Sequence, residues 1–301
     1  MGIFSDKIRV GVLRGGGSPE YKVSLETGAR VLENLNRDIY EPRDILVSKA
    51  GIWHENGFEK PAERILKNVD VIFNALRGIY GEDGAAQKIL DDQGALYTGS
   101  GRMVSRFAAN KIISKKFYKR NGLKTPFAVS INLNDLSREA IREAYQAVPH
   151  PFVVKPATAG SSLGVGIAYS LPELEEFTVA AFEYSPSVLI EEYIPGKEAT
   201  CGVVDYFRDR KNYSLIPISE RHISEEEKEK IQAMAILAHN VLELRHYSSS
   251  DFIIHPKRDI FILETDALPP IHSRFVDSLK SVGAKLGDFL HHVIGLAMNK
   301  K

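Results

Sequence analysis

Glu264 and Asp266 stand two residues apart at the end of an apolar run, in FILETDALPPIHS (261–273), and two prolines follow at once. Side chains alternate along a strand, so residues two apart share a face. Just upstream, SDFIIHPKRDIFILETD (250–266) reads as two apolar runs around Pro256-Lys257-Arg258-Asp259, a turn signal. A four-residue loop with His255 opposite Ile260 would set Asp251 opposite Glu264, with Cβ atoms about 5 Å apart. Asp266 would lie on the same face, one step further. Opposed like charges are unfavourable unless a cation sits between them, and a hard cation such as Mg²⁺ takes oxygen ligands. The hairpin alone leaves two readings level: a metal clamp, or solvated strand ends.

A second group of residues could hold phosphate. In VVKPATAGSSLGVG (153–166), Lys155 sits inside an apolar strand, where a buried ammonium needs an anionic partner. The loop after it offers Gly160, Ser161, Ser162 and Gly164, a source of backbone N–H groups and hydroxyls. A snorkelling lysine beside a plain flexible turn is the alternative. Glu191 and Glu198, in VLIEEYIPGKEAT (188–200), flank a Pro-Gly turn and would otherwise be surface charge. There is no Walker sequence, and Gly15-x-Gly17 lacks the third glycine of a dinucleotide fingerprint.

These residues must be positioned by a chain of 301 residues, 44% apolar and 26% charged, enough for two or three units with real cores. IRVGVL (8–13) reads as a strand leading through Gly15-Gly16-Gly17 to a helix over 23–35; further strands fall at 43–47 and 69–76. A small hairpin with an Asn56-Gly57 turn and a helix over 85–94 complete an alternation that predicts a parallel, Rossmann-like sheet. One long helix is expected over 102–121, then strands and helices to 187, then strands at 198–207 and 213–219. A helix capped by Ser224 and Glu227, the acidic hairpin, and one C-terminal helix over 274–298 close the chain. SKKFYKR (114–120) reads as a solvated helix face. Net charge is zero, so nucleic acid and anionic membranes are poor partners. The lone Cys201 fits a reducing compartment, and no apolar run nears the roughly 20 residues of a membrane span. A cytoplasmic protein is expected.

Taken in order, VLRGGGSPEYKVSLETG, FNALRGIYGEDGAAQKILDDQGALYTGSG, NKIISKKFYKRNGLKTP, FVVKPATAGSSLGVG, VLIEEYIPGKEAT and FILETDALPP resemble the D-alanine–D-alanine ligases of the ATP-grasp superfamily along nearly the whole chain. The resemblance implies an α/β ATP-grasp fold: a Rossmann-like first unit (1–104), a central unit (105–187) and a C-terminal unit with the metal site (188–301). It implies ATP and Mg²⁺ (or Mn²⁺), small amino acids as substrates, D-alanine first among them, and a homodimer through the first unit. Lys111 and Lys155 would hold ATP phosphates beneath the 160–164 loop. Glu191, Glu192 and Ile194 would line the adenine pocket and Glu198 would take the ribose. Asp251, Glu264 and Asp266 would hold the metal. Glu20 would anchor the first amino acid's ammonium, with Ser161 in its network, and Ser273 would meet the second amino acid's carboxylate.

The sequence departs from the family at several of these places. Arg77 stands where the family has His, Ala159 where it has Glu, Ser249 where it has an oxyanion-stabilising Arg, and Asp266 where it has Asn. Pro270 replaces a glycine, and only ERHI separates LIPIS (215–219) from the next helix, where the family carries a substrate-covering loop. Losing one oxyanion donor can cost about 3–4 kcal/mol. Arg274 and Arg221, the cations beside the altered segments, are the candidates to take over the missing arginine's role. Two further readings therefore stand beside the ligase: a ligase for another carboxylate and amine, and a catalytically weak ATP-binding protein.

Overall fold

A computed structural model describes residues 7–271 and 274–299; Ser273 lies outside them. The first unit runs β1 (Ile8–Gly15), α1 (Tyr21–Asn34), β2 (Tyr40–Val47), β3 (Trp53–Glu55), β4 (Phe58–Glu59), α2 (Ala62–Leu66), β5 (Val71–Asn74) and α3 (Ala85–Asp92). Its sheet has the order β4-β3-β2-β1-β5, and β1 is parallel to both β2 and β5. The apolar runs predicted this, because strands joined through helices must run parallel. Asn56 and Gly57 both have positive φ (50° and 86°), the type I′ geometry that an Asn-Gly hairpin favours.

The expected long helix is broken in two. α4 (Arg102–Ala109) ends at Asn110, whose φ of −92° and ψ of 104° leave helical space, and α5 (Lys111–Arg120) starts afresh. The Asn110 side chain accepts the backbone N–H groups of Ile112 and Ile113, so it caps the second helix. The central sheet follows: β6 (Ala128–Asn132), α6 (Arg138–Ala147), β7 (Phe152–Pro156), β8 (Gly166–Ala168), α7 (Leu171–Ala181) and β9 (Ser187–Glu192), antiparallel in the order β6-β9-β7-β8. β9 hydrogen-bonds to β6 and β7. By sheet membership it belongs with the central strands, and the third unit's strands begin at Lys197.

The third sheet, β11-β10-β12-β13, is built from β10 (Lys197–Asp205), β11 (Asn212–Ser214), β12 (Tyr247–His255) and β13 (Asp259–Asp266), backed by α8 (Glu225–Val241). Ser224 and Glu227 form the expected capping box. The C-terminal helix is also two, α9 (Arg274–Ser281) and α10 (Leu286–Met298), with Gly283 at φ 70° between them. One apolar core takes Val10 and Phe73 from the first sheet, Val204 and Tyr247 from the third, and Phe289 and Val293 from α10. The central sheet has a core of its own around Phe152, Val154, Leu174 and Ile190. No helix among the described residues is long and apolar enough to cross a membrane.

Candidate active site

The acidic hairpin forms, by a route the sequence only half shows. Its turn is tighter than expected, with His255 paired to Asp259, and that register would misalign the acids by one residue. A bulge between Asp251 and Phe252 takes up the difference: Phe252 pairs with Ile262, Leu263 is the extra residue, and Asp251 then meets Glu264. Asp266 pairs with Ser249 one step on, so all three carboxylates share a face. Burial, with Glu264 across the ladder, pushes the Asp251 carboxyl up to about 7, and burial raises Asp266 as well. Glu264 goes the other way, held down by the Lys111 ammonium 3.0 Å away.

Each acid is engaged by a protein neighbour. Thr200 Oγ1 donates to Asp251 Oδ1 at 2.6 Å, Lys111 pairs with Glu264, and Arg77 Nη2 lies 3.4 Å from Asp266 Oδ2. So placed, no three metal-ligating side chains among the described residues surround one point. The donor chemistry still fits a hard divalent cation: all oxygen, on one face, mutually repelling, with 37% of the Glu264 and Asp266 side chains open to the cleft.

Across the cleft stand the cations and the glycine loop. Lys111 opens α5, and its Nζ donates to the Ala159 carbonyl at 2.7 Å. Burial alone would lower this lysine; Glu264 outweighs it and keeps the ammonium above its ordinary value. Lys155 on β7 lies 2.7 Å from Glu191 Oε2. In the loop, Ser161 and Ser162 hold φ of 51° and 56°, a conformation uncommon outside glycine. Gly164 has φ 67°, and a Cβ there would meet the Tyr184 ring at 2.6 Å. Ser161 Oγ donates to Glu20 Oε1 at 2.6 Å, and a Cβ on Gly160 would meet Glu20 Oε2 at 2.8 Å. Glycine is thus what lets the loop lie on Glu20, a carboxylate only 4% exposed.

The cleft between the central and third sheets encloses about 300 Å³. Its walls include Lys111, Lys155, Gly160, Ser162, Glu191, Glu192, Ile194, Glu198, Asp251 and Glu264. Ten of the residues singled out in the sequence, from eight separate elements or loops, therefore converge on one space. Glu20, Ser161 and Asp266 adjoin it through the contacts above.

A family model described as the D-ala D-ala ligase C-terminus matches residues 117–221 and 206–295. The D-alanine--D-alanine ligase of Geobacter sulfurreducens is 32% identical over 280 residues, covering 87% of this chain and 84% of its own. That of Pelotomaculum thermopropionicum is 30% identical, covering 97% of each. The chain belongs to the D-alanine–D-alanine ligase family. Among solved structures, the Bacillus anthracis D-alanine--D-alanine ligase complexed with ATP superposes with a TM-score of 0.81 at 27% identity, over 97% of this chain and 98% of its own. The Enterococcus faecalis VanG D-Ala:D-Ser ligase reaches 0.86 at 24% identity, over 97% and 99%, a likeness of fold. The fold is ATP-grasp, and the family's class is that of ATP-dependent ligases forming a C–N bond.

Within that family frame, two departures prove to be neighbours. Arg77 and Asp266 face each other, and Arg77 also pairs with Glu82 at 2.6 Å and lies 3.4 Å from Glu20. The added negative charge at 266 is met by added positive charge at 77. At 159, where a carboxylate is missing, the backbone carbonyl receives Lys111. Ser249 is 7% exposed and lines a smaller cavity beside the acids.

Three site residues escaped the sequence. Lys115 lies in the stretch expected to be a solvated face, yet it is 4% exposed and 2.7 Å from Glu191 Oε1. Burial lowers its ammonium to about 8. The stretch is solvated on one side only: Lys111, Ser114, Lys115 and Tyr118 are buried, and their spacing is a helical period that could have been read. Glu191 gives both oxygens to Lys115 and Lys155, which together hold it below its ordinary value against burial. Glu82, in YGEDG, is raised to about 8 by burial, with Arg77 opposing. Thr200 carried no local signal at all. Glu192 accepts from Phe127 N at 2.9 Å and pairs with Arg258 at 2.7 Å, so its carboxylate points to the hairpin turn while the residue lines the cleft.

Proposed function

We propose that this chain activates the carboxylate of one amino acid with ATP and joins it to the amine of a second, with D-alanine in both roles. A carboxylate oxygen attacks the γ-phosphorus and ADP leaves; the second amine, having lost a proton, attacks the acyl carbon and phosphate leaves as the C–N bond forms. Lys111 and Lys155 neutralise the phosphates beneath the 160–164 loop, which excludes water. Glu20, held by Ser161 and Arg77, takes the first ammonium and fixes the donor's orientation. The adenine sits against Ile194 and the backbone of Glu191 and Glu192, and Glu198 at the mouth takes the ribose. Asp251, Glu264 and Asp266 would hold Mg²⁺, which supplies charge neutralisation to the transferring phosphoryl group.

The observation that carries this is the convergence of two lysines and an acid face on one cleft, with Glu20 and Ser161 at its edge. Positioning and charge neutralisation are what phosphoryl transfer needs. Phosphate release with ATP, Mg²⁺ and a panel of D- and L-amino acids tests it; release that depends on D-alanine is expected. A second reading, a ligase for another amino-acid pair, is favoured by the cavity lined by Ser249, Pro269 and Pro270, where this chain departs from its family. Release with a different amino acid would select it, and ATP binding without turnover would sink both. On either reading the enzyme works in the cytoplasm on small amino acids. A dimer through the first unit is carried by resemblance, and sedimentation decides it.

A further inference from the structure

Behind the nucleotide cleft, three charged groups form a chain that stability alone does not explain. Glu191 pairs across the ladder with Val153, so Lys155, two residues on, shares its face, and the Lys155 ammonium lies 2.7 Å from Glu191 Oε2. Lys115 reaches the other oxygen, Oε1, from α5, also at 2.7 Å. The Glu191 side chain is 2% exposed, that of Lys115 5% and that of Lys155 13%. A buried acid between two cations is expensive to desolvate, and apolar residues of similar volume are often as stable in such places. A second buried lysine therefore asks for a functional reason.

The two lysines are used differently. Lys115 is saturated: besides pairing with Glu191, its Nζ donates to Thr125 Oγ1 at 2.6 Å and to the Pro126 carbonyl at 3.2 Å, which accounts for all three N–H groups. It does not line the cleft. Lys155 does, and among the described residues Glu191 is the one partner of its ammonium, so two N–H groups remain for a ligand. Burial draws the Lys115 ammonium down to about 8 with Glu191 opposing, so it is charged at neutral pH, and the two lysines keep Glu191 ionised. Lys155 with Glu191 alone would be neutral. With Lys115 the group carries one net positive charge, and Lys155 is the member that presents it to the cleft.

Resting on the assignment of Lys155 to ATP phosphate, we propose that Lys115 is a positioning residue for the nucleotide: it takes up one oxygen of Glu191 and so keeps the charge of Lys155 available to the phosphates. Lys115 touches no ligand. It acts through Glu191, which fixes the Lys155 side chain in place and, without a second cation, would also cancel it. The phosphate half of the nucleotide feels this charge; the adenosine half, which is neutral, does not.

The test is the dissociation constant of ATP with Mg²⁺ and that of adenosine, measured by calorimetry on the whole chain, with the KM for D-alanine beside them. Wild type should bind ATP far more tightly than adenosine. Lys115→Met should weaken ATP by about tenfold to a hundredfold, the order of one unit charge several ångströms away at the effective dielectric of a protein, while adenosine binding and the KM for D-alanine stay near their wild-type values. The double variant Lys115→Met, Glu191→Gln restores the single positive charge and should regain most of the lost ATP affinity. If Lys115→Met does not fold, Lys115→Gln replaces it in both arms. An equal loss for ATP and adenosine, or a double variant that binds ATP no better than the single one, overturns this inference alone. A wild type that binds ATP no better than adenosine takes the phosphates away from Lys155, and the ligase reading falls together with this inference.

Discussion

Arg77 brings one positive charge into a space walled by Glu20, Glu82 and Asp266, and is itself 5% exposed. Breaking a buried charge group from one side is costly because the partners are stranded. Asp266→Asn leaves Arg77 with two carboxylates; Arg77→His leaves three carboxylates around a weaker cation. The double variant removes both changes at once and should be less damaged than the sum of the singles by about 1–3 kcal/mol. Urea unfolding of the four proteins measures this, and additivity within about 0.5 kcal/mol would show that the pair does not act as a unit. At this scale the sequence was legible where a charge interrupts an apolar strand: Lys155, Asp251, Glu264 and Asp266 all announced themselves so. It was opaque for Lys115 and Glu82, whose meaning lies in partners distant along the chain.

Element boundaries tell a similar story. Parallel pairing in the first sheet and the capping box of α8 follow from local pattern, and both were readable. The break at Asn110 was not, because apolar periodicity runs through it; only the cap marks the new start. That cap sets Lys111 at the head of its helix, facing Glu264 and the Ala159 carbonyl. Asn110→Ala should cost about 1 kcal/mol, with Asn110→Asp restoring most of it. A shift of the urea midpoint at constant slope reads this, and an unmoved midpoint would deny the cap its role. The hairpin shows a compensated miss. The sequence suggested a four-residue loop, the chain uses a tighter turn, and the bulge at Leu263 restores the Asp251–Glu264 pairing. A bulge depends on packing across the sheet, which periodicity does not encode.

For the whole molecule, the seam between the first and third units holds a titrating group. His246, at φ 68°, accepts the Gly99 backbone N–H on Nδ1 at 3.0 Å. Burial, helped by Arg245, pushes its imidazole down to about 4. An unfolded histidine titrates near 6.5, so between these values the unfolded chain binds the extra proton. Stability therefore rises with pH across that window and is lost as pH falls from about 6.5 toward 4, by on the order of 2–3 kcal/mol. His246→Asn keeps an acceptor and tolerates positive φ; it should flatten this acid limb relative to wild type. Equal slopes for the two proteins between pH 4 and 7 would assign the acid loss elsewhere.

The core shared by β1, β5 and α10 also fixes an order in time. Val10 and Phe73 are covered by Phe289 and Val293, more than two hundred residues later in the chain. At about 5–20 residues per second, on the order of ten seconds or more of synthesis separates the two halves of that core. Through that interval α1 already lies on this face of the first sheet through Val31 and Leu35 but β5 lacks the α10 packing, while the central unit, whose core lies wholly within residues 129–190, can already close. Stalled nascent chains that end before α10 should therefore protect the β7 and β9 amides from exchange while β5 stays open, and equal protection of all three strands would deny this order.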